Sequence, residues 1–269
     1  MEKSSGSFHV PKGIWAITLP QHLGAIVAVY LLIKREVSGL WLIGSYVSWV
    51  LIGVVGIGIF YHKYFAHRGF KTYTLIENVG AYLGALAGLG APIGWVALHT
   101  DHHHRFADLN ELDVHSPRFG IFNSYMGWQF RKFDLKLGSA RRLLKSSGLK
   151  FIGNHYYQIY WATAVALFLI DPLAPVFLLF VPGFVHYHVE GLIASLCHTR
   201  TLGYRNYETT DNSVNIWLLG LLTWGAGFHN NHHGDPVRPH NQTKIFEIDL
   251  SRLLLFLIPK KAELSKEEA

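Results

Sequence analysis

The sequence contains a single cysteine, Cys197, and it carries little charge for its length. One cysteine excludes an intrachain disulfide, so cysteine use says nothing about the redox compartment. Only 16% of the 269 residues are Asp, Glu, Lys or Arg, while half are hydrophobic. Charge is almost absent from several long stretches, and soluble cores rarely contain uninterrupted apolar runs of this length. The composition therefore favours a membrane protein over the alternative, a soluble fold with buried helices.

Four apolar stretches define the expected topology. A helix that crosses a bilayer needs ~20 mostly apolar residues. The first two apolar runs, residues 14–33 and 40–61, reach that length. The run from residue 159 to 185 is too long for one crossing, and Asp171-Pro172 divides it. We therefore predict an all-α integral membrane protein with about four spans, at approximately residues 14–33, 40–61, 154–170 and 173–195.

The formal charge of +6 predicts an orientation for these spans. Lys and Arg concentrate in residues 63–150, between the second and third predicted spans, and the turn at Asp171-Pro172 has none. The positive-inside rule places residues 63–150 in the cytoplasm, and four spans then put both termini there. The pair Lys34-Arg35, in a very short loop, argues mildly the other way. Because the cations flank spans, lipid contacts explain them and no nucleic-acid partner is expected.

Nine of the 17 histidines fall in four places, within "HKYFAH", "HTDHH", "CH" and "HNNHH". The pattern H-x-x-H-H occurs twice, and residues at i, i+3 and i+4 share one face of an α-helix. His62 and His67 are five apart, so an ideal α-helix would not align them. Neutral imidazole is a good ligand for iron, zinc, copper and nickel, and nine are too many for one ion. The pattern predicts two metal ions held by His62, His67, His99, His102, His103, His198, His229, His232 and His233.

The alternative for any single histidine is an ordinary core or interface residue. Packing has no use for such clusters, however, and clustered polar groups near a bilayer are costly unless they are functional. All four places also fall on one side of the membrane in the predicted topology. We therefore expect a single domain over residues 1–269, whose cytosolic helical metal domain consists of residues 62–150 and 196–269.

Several motifs resemble those of the membrane fatty acid desaturases, in particular the carbon-9 branch that includes stearoyl-CoA desaturase and bacterial acyl-lipid desaturases. "HKYFAHRGF", "WVALHTDHHHRFADLNELDVHSP" and "GFHNNHHGDP" match the three histidine boxes. "FNSYMGW" and "SLCHTRTLGYRNYETTDNSVN" match the segments between them, so the resemblance covers roughly Leu40 to Ile258. It implies two Fe²⁺ ions on the nine histidines and an oxidoreductase that inserts a cis double bond into an acyl chain with O2 and two electrons.

The chemistry that the resemblance implies agrees with the ligands. A methylene in mid-chain has no acidity and no leaving group, so its oxidation needs an iron–oxygen oxidant, which nitrogen ligands suit. No H-P-G-G haem segment is present, so the electrons must come from a separate donor protein of the ferredoxin or cytochrome b5 kind. Two alternatives stay open: an acyl hydroxylase or acetylenase on the same scaffold, and a non-enzymatic membrane metal-binding homologue. The acyl carrier stays open between CoA, a carrier protein and a lipid.

Two positions depart from the family pattern. Ala194 stands four residues before His198, where the family usually has Asn, and Ala226 stands in "GAGFHNNHH", where it usually has Glu. Both are expected beside the metal ligands, whose orientation such neighbours influence. The matched motifs also make Trp95, Trp128 and Asn215 candidates for positions around the metals or the substrate.

The second span leads directly to His62, so it is expected to line an acyl slot. Its distal half holds Tyr46, Trp49 and Val50, which would close the slot, and its proximal half is the glycine-containing "GVVGIG". The alternative is that these glycines only allow close helix packing. His104 adjoins the second box but lies on a different α-helical face, which gives it a weaker claim to the site. His186 and Glu190 fall within a predicted span, which is costly unless they are paired or face a cavity.

Overall fold

The computed structural model describes residues 12–109, 113–131 and 133–260, apart from the His102 side chain. Residues 1–11 and 261–269 of the predicted domain lie outside this range. The described residues form helices and turns, with three isolated β-bridges and no strand. This confirms the predicted all-α class for that part of the chain. The helices are α1 (Ile14–Ile33), α2 (Gly39–Ala66), α3 (Thr74–Leu86), α4 (92–104), α5 (Ile121–Tyr125), α6 (Ser147–Asn154), α7 (Tyr156–Ile170), α8 (Val176–Leu196), α9 (Trp217–Leu222), α10 (His229–Gly234) and α11 (Ser251–Leu257).

Among the described residues, three helices are long and apolar enough to cross a membrane: α1 has 20 residues, α2 has 28 and α8 has 21. They correspond to the first, second and fourth predicted spans. The third predicted span is α7, an apolar helix of only 15 residues. At the α-helical rise it extends ~22 Å, short of the ~30 Å hydrocarbon core. Helix α7 is shorter than the predicted span of residues 154–170, because a break at His155 separates α7 from α6.

Large apolar side chains point outward from the long helices. Ile26 on α1 is 65% exposed, Leu40 at the start of α2 is 77% exposed and Ile170 at the end of α7 is 81% exposed. Such surfaces are unfavourable in water and are the normal exterior of a helix in lipid. The outward faces therefore support membrane association.

Helix α2 lies at the centre of the fold, between α3 on one side and α8 on the other. Its contact with α3 depends on glycine at both helix surfaces. A Cβ on Gly56 would lie 2.4 Å from the backbone nitrogen of Gly84, and a Cβ on Gly84 would lie 2.3 Å from the Tyr61 ring. Buried Phe60 and Tyr61 fill the remaining space between the helices. Gly56 therefore allows close packing of α2 against α3, which was the alternative to making room for an acyl chain.

Four segments of the described helices are π-helical, and two of them carry histidines. Residues Val50–Ala66 of α2 and Leu98–His104 of α4 are π-helical. At their ends the amide of His67 donates to the carbonyl of His62 (3.1 Å), and the amide of Arg105 donates to that of Thr100 (3.2 Å). These i to i−5 bonds place residues five apart on the same side of the helix. His62 and His67, which an α-helix would place on different faces, therefore lie on the same face of α2.

We expect Gly56→Ala to destabilise the protein, because its new methyl group would collide with the backbone of α3. Overpacking of this kind costs about 1–3 kcal/mol, more than the ~1 kcal/mol that Ala gains over Gly in a helix. Gly58→Ala is the matched control, since its Cβ would meet nothing closer than a carbonyl at 3.8 Å. Thermal midpoints from fluorescence-detected size exclusion would compare the two. Equal midpoints would contradict the packing role of Gly56.

Candidate metal centre

The structure gathers eight of the nine predicted histidines into two groups of four. Within each group one ring nitrogen of every residue lies within 4.8 Å of the others. The first imidazole group joins α2, α4 and α10, and the second joins α4, the end of α8 and α10. The first group is His62, His67, His99 and His232, and the second is His103, His198, His229 and His233.

The nitrogens inside these groups face one another at short distances. His62 Nε2 lies 2.7 Å from His232 Nε2, and His67 Nε2 lies 2.8 Å from His99 Nε2. In the second group, His229 Nε2 and His233 Nε2 are 3.1 Å apart. Nitrogens bound to one ion by bonds of ~2.1 Å would lie roughly 3 Å apart, so both groups fit a metal ion.

Three aspartates contact the outward nitrogens of the second imidazole group. Asp113 lies 3.2 Å from His103 Nδ1, Asp108 lies 2.7 Å from His198 Nδ1 and Asp211 lies 2.8 Å from His233 Nδ1. A metal-ligating histidine ordinarily donates its other N–H to such a carboxylate, which leaves Nε2 free for the metal. The buried Nε2 of His198 has no hydrogen-bond partner within the described part of the chain, as expected for a ligand atom.

Most of these imidazoles are held neutral, which is the form that binds metals. Burial, reinforced by neighbouring positive charge, lowers the pKa of His67 to about 3. Burial also lowers the pKa of His99, His229 and His232 well below the ordinary range. For His233 burial lowers the pKa to about 4, although its hydrogen bond to Asp211 opposes this.

His103 behaves differently from the other members of the second imidazole group. Burial alone would lower its pKa, but the nearby carboxylates of Asp113, Asp108 and Asp211 outweigh that effect and raise it. The pKa of the Asp113 carboxyl is lowered, because its hydrogen bonds and charge interactions with His103 and His115 outweigh burial. His103 and Asp113 therefore form a charge-coupled pair at the edge of the site.

His104 lies against both imidazole groups, although its position in the sequence gave it a weaker claim to the site. Its Nε2 lies 3.2 Å from His232 Nε2, and its ring lies 4.7 Å from that of His67 and 4.5 Å from that of His233. The α-helical faces assumed from the sequence do not apply here, because π-helical Leu98–His104 sets His104 on the side of His99. His102 is a ninth predicted ligand whose side chain lies outside the described residues.

The motif residues surround the histidines at different distances. Trp95 stacks on His99 with ring centroids 5.0 Å apart, and Trp128 meets His115 edge-on at 4.2 Å. Asn215 is fully buried, and its side chain bonds to both the amide nitrogen and the side chain of Asn231 in α10. Asn215 thus positions the helix that carries three of the ligands.

Lys63 is a neighbour of the first imidazole group that the sequence patterns did not single out. It is only 4% exposed. Its Nζ lies 2.9 Å from the outward Nδ1 of His232 and donates to Asn241 Oδ1 at 2.6 Å. The first group therefore has a buried amine at the position where the second has carboxylates.

A cavity of about 870 Å³ connects the histidines with the membrane helices. His62, His99, His103 and His229 line one part of it, together with the two departures Ala194 and Ala226. From the second predicted span, Trp49, Gly53 and Gly58 contribute to the wall, whereas Tyr46 and Val50 are not among the lining residues. Tyr46 is 54% exposed and accepts a hydrogen bond from Trp224 on the outer surface.

Comparison with known sequences agrees with this arrangement. The family model described as fatty acid desaturase matches residues 39–248. The palmitoyl-monogalactosyldiacylglycerol delta-7 desaturase of Arabidopsis thaliana is 30% identical over 89% of this chain and 64% of its own length. The delta-9 acyl-lipid desaturase 1 of the same plant is 34% identical over 74% of the chain and 66% of its length. An acyl-CoA 5-desaturase of Anemone leveillei is 31% identical over 82% and 69%. The chain spans about two thirds of the length of these relatives.

The neutral imidazoles make the metal-free protein sensitive to acid. The pKa of His67 is about 3 when folded and ~6.5 when unfolded, so only the unfolded state binds a proton between these values. Stability is therefore greatest above pH ~6.5, and each such imidazole should remove about 2 kcal/mol between pH 7 and pH 5. Thermal midpoints of metal-free protein at the two pH values measure this. His67→Gln should reduce the difference in thermal midpoint between pH 7 and pH 5. His155→Gln, at an exposed position, should leave that difference unchanged.

Proposed function

The chain belongs to the fatty acid desaturase family, and we propose that it is an O2-dependent desaturase that inserts a cis double bond into a fatty acyl chain. The observation that carries this proposal is the position of the two imidazole groups, which open onto a cavity between membrane helices. A long alkyl chain needs a dry, apolar cavity of several hundred Å³ that ends at the oxidising centre. The names of the relatives favour desaturation over the hydroxylase, acetylenase and non-enzymatic alternatives.

Each of the two imidazole groups would hold one iron ion, and His102 would be a further ligand to one of them. Bound iron would supply the oxidising power that removes two hydrogens from adjacent methylenes with O2 and two electrons. The protein's part is to keep the ligands neutral, to fix their orientation through Asp108, Asp113 and Asp211, and to stack Trp95 on His99. The cavity wall orients the chain and excludes water from the reacting carbons.

The topology we propose has four spans, with α7 as the third and with the metal site and both termini in the cytoplasm. In this arrangement the ligands of α2 and α8 follow directly where these helices leave the membrane. The Lys and Arg residues of 63–150 lie on the same side, as the positive-inside rule requires. A separate ferredoxin- or cytochrome b5-like protein would deliver electrons at this face.

We expect the active protein, purified without air, to contain two irons per chain. His232→Ala should lower the iron content to about one and abolish turnover, because His232 belongs to the first imidazole group and contacts its other members. His102→Ala should do the same, whereas exposed His155→Ala should change neither. Elemental analysis and Mössbauer spectroscopy give the readout. One iron per chain, or zinc in catalytically active protein, would contradict the assignment.

Trp49 should limit the length of the acyl chain. It is 7% exposed and lines the cavity beyond Gly53, away from the histidines. Trp49→Ala should therefore shift the preference toward longer chains when chains of different length compete in one reaction. Gly53→Leu should shorten or block the accepted chain, since a Cβ there would lie 2.5 Å from His186 Nδ1.

Tyr46→Ala is the matched control for Trp49→Ala, because the Tyr46 side chain lies on the exposed side of the same helix. Gas chromatography of the products would report the ratio for each chain length. If Trp49→Ala and Tyr46→Ala both left the ratios at the wild-type values, α2 would have no part in measuring the substrate.

A further inference from the structure

Two ionisable side chains of α8 face the cavity at a depth where its opposite wall is apolar. His186 and Glu190 lie one helical turn apart, and both line the cavity. His186 is only 4% exposed, and neither of its ring nitrogens has a hydrogen-bond partner among the described residues. Glu190 lines the cavity with 35% of its side chain accessible. The metal centre uses neither residue.

The two side chains do not satisfy each other. His186 Nε2 lies 3.5 Å from Glu190 Oε1, which is an ion-pair distance without the geometry of a hydrogen bond. A buried polar group without a partner costs about 1–3 kcal/mol, and ionisable residues inside membrane spans are retained where they face a functional cavity. An unsubstituted alkyl chain could not offset this cost, because it offers neither a donor nor an acceptor.

The opposite wall makes room for this pair. Gly53 of α2 faces the His186 ring, and a Cβ there would lie 2.5 Å from Nδ1. The neighbouring α2 positions on the cavity are apolar Val54 and Ile57 and the ring of Trp49, whose buried indole N–H has no hydrogen-bond partner among the described residues. Glycine at position 53 therefore has a role at the cavity, whereas Gly56 serves helix packing.

Along α8, Glu190 lies nearer to the imidazole groups than His186, and its charge interacts with that of His103. Glu190 is eight residues and His186 twelve residues before His198, which corresponds to about 12 Å and 18 Å along a helix. If the reacting carbons lie at the imidazoles, as the proposed function requires, the part of the chain beyond them passes His186 and Glu190.

We propose that His186 and Glu190 form a subsite for a hydroxyl group carried on the distal part of the acyl substrate. A hydroxyl group donates one hydrogen bond and accepts others, so it can donate to the Glu190 carboxylate and accept from a His186 N–H. An ammonium group could pair with Glu190 but would offer His186 no acceptor. A second carboxylate would offer an acceptor to His186 but no donor to Glu190. This inference rests on the proposed acyl-binding function and adds the chemical class of the substrate.

Binding to the purified full chain, measured by displacement of a fluorescent fatty acid, tests the subsite without turnover. The competing probes are octadecanoic acid, 12-hydroxyoctadecanoic acid and 18-hydroxyoctadecanoic acid. We expect at least one hydroxylated probe to bind about tenfold more tightly than octadecanoic acid, the effect of one or two buried hydrogen bonds. Glu190→Leu and His186→Leu should abolish this preference and strengthen the binding of octadecanoic acid.

Two further variants separate the subsite from a general effect on the fold. Glu190→Gln keeps the shape and an acceptor, so it should retain most of the preference even if the leucine variants fold poorly. Val189→Ala alters an adjacent apolar lining residue and should leave the preference unchanged. Equal affinity of wild-type protein for all three probes would overturn the hydroxyl subsite alone, as would an unaltered preference in Glu190→Leu. Failure of every probe to bind would instead contradict the acyl cavity of the proposed function.

Discussion

Every part of the site depends on one constraint: a metal-binding imidazole must be neutral and must turn a chosen nitrogen inward. Burial provides the neutrality, and hydrogen bonds to the outward nitrogen provide the orientation. Asp108 shows how this organises the loops. Its carboxylate contacts His198 after α8, and it accepts hydrogen bonds from Ser116 Oγ and from the amide of Asn212. One side chain thus joins the segment after α4 to the segment after α8, and the loops fold around the ligands they orient.

The sequence contained enough information for the helical class, for three long apolar helices and for the eight histidines that gather in two groups. The length and hydropathy of the apolar runs predict the helical class and the long helices, and the clustering of the histidines in the sequence predicts that they gather. The pairing of the histidines was not predictable, because it depends on π-helical turns that no residue pattern announces. The i to i−5 bond at His67 and the inward position of His104 have this common cause. The carboxylates were equally hidden, since Asp211 and His233 are 22 residues apart and meet only in the folded chain.

Helix α2 shows how one segment meets several demands at once. Its last turns carry His62 and Lys63, its middle packs against α3 through Gly56, and its other side borders the cavity through Gly53 and Gly58. Two explanations for the glycines, close helix packing and room within a cavity, were alternatives at the level of sequence. In the structure they apply to different glycines of the same short stretch. Residue type alone could not separate them, because the decision rests on which neighbour faces each Cα.

The two imidazole groups differ in the charge that surrounds them, and this makes the two metal positions chemically unequal. Three carboxylates contact outward nitrogens of the second group, which increases the basicity of those ligands. In the first group the outward nitrogen of His232 instead lies 2.9 Å from the amine nitrogen of buried Lys63, which adds no negative charge to that ligand. An ion in the second group would therefore be held by the more electron-rich ligands. Since Lys63 and His62 are adjacent on α2, the same helix that lines the cavity also contributes to this inequality between the two positions.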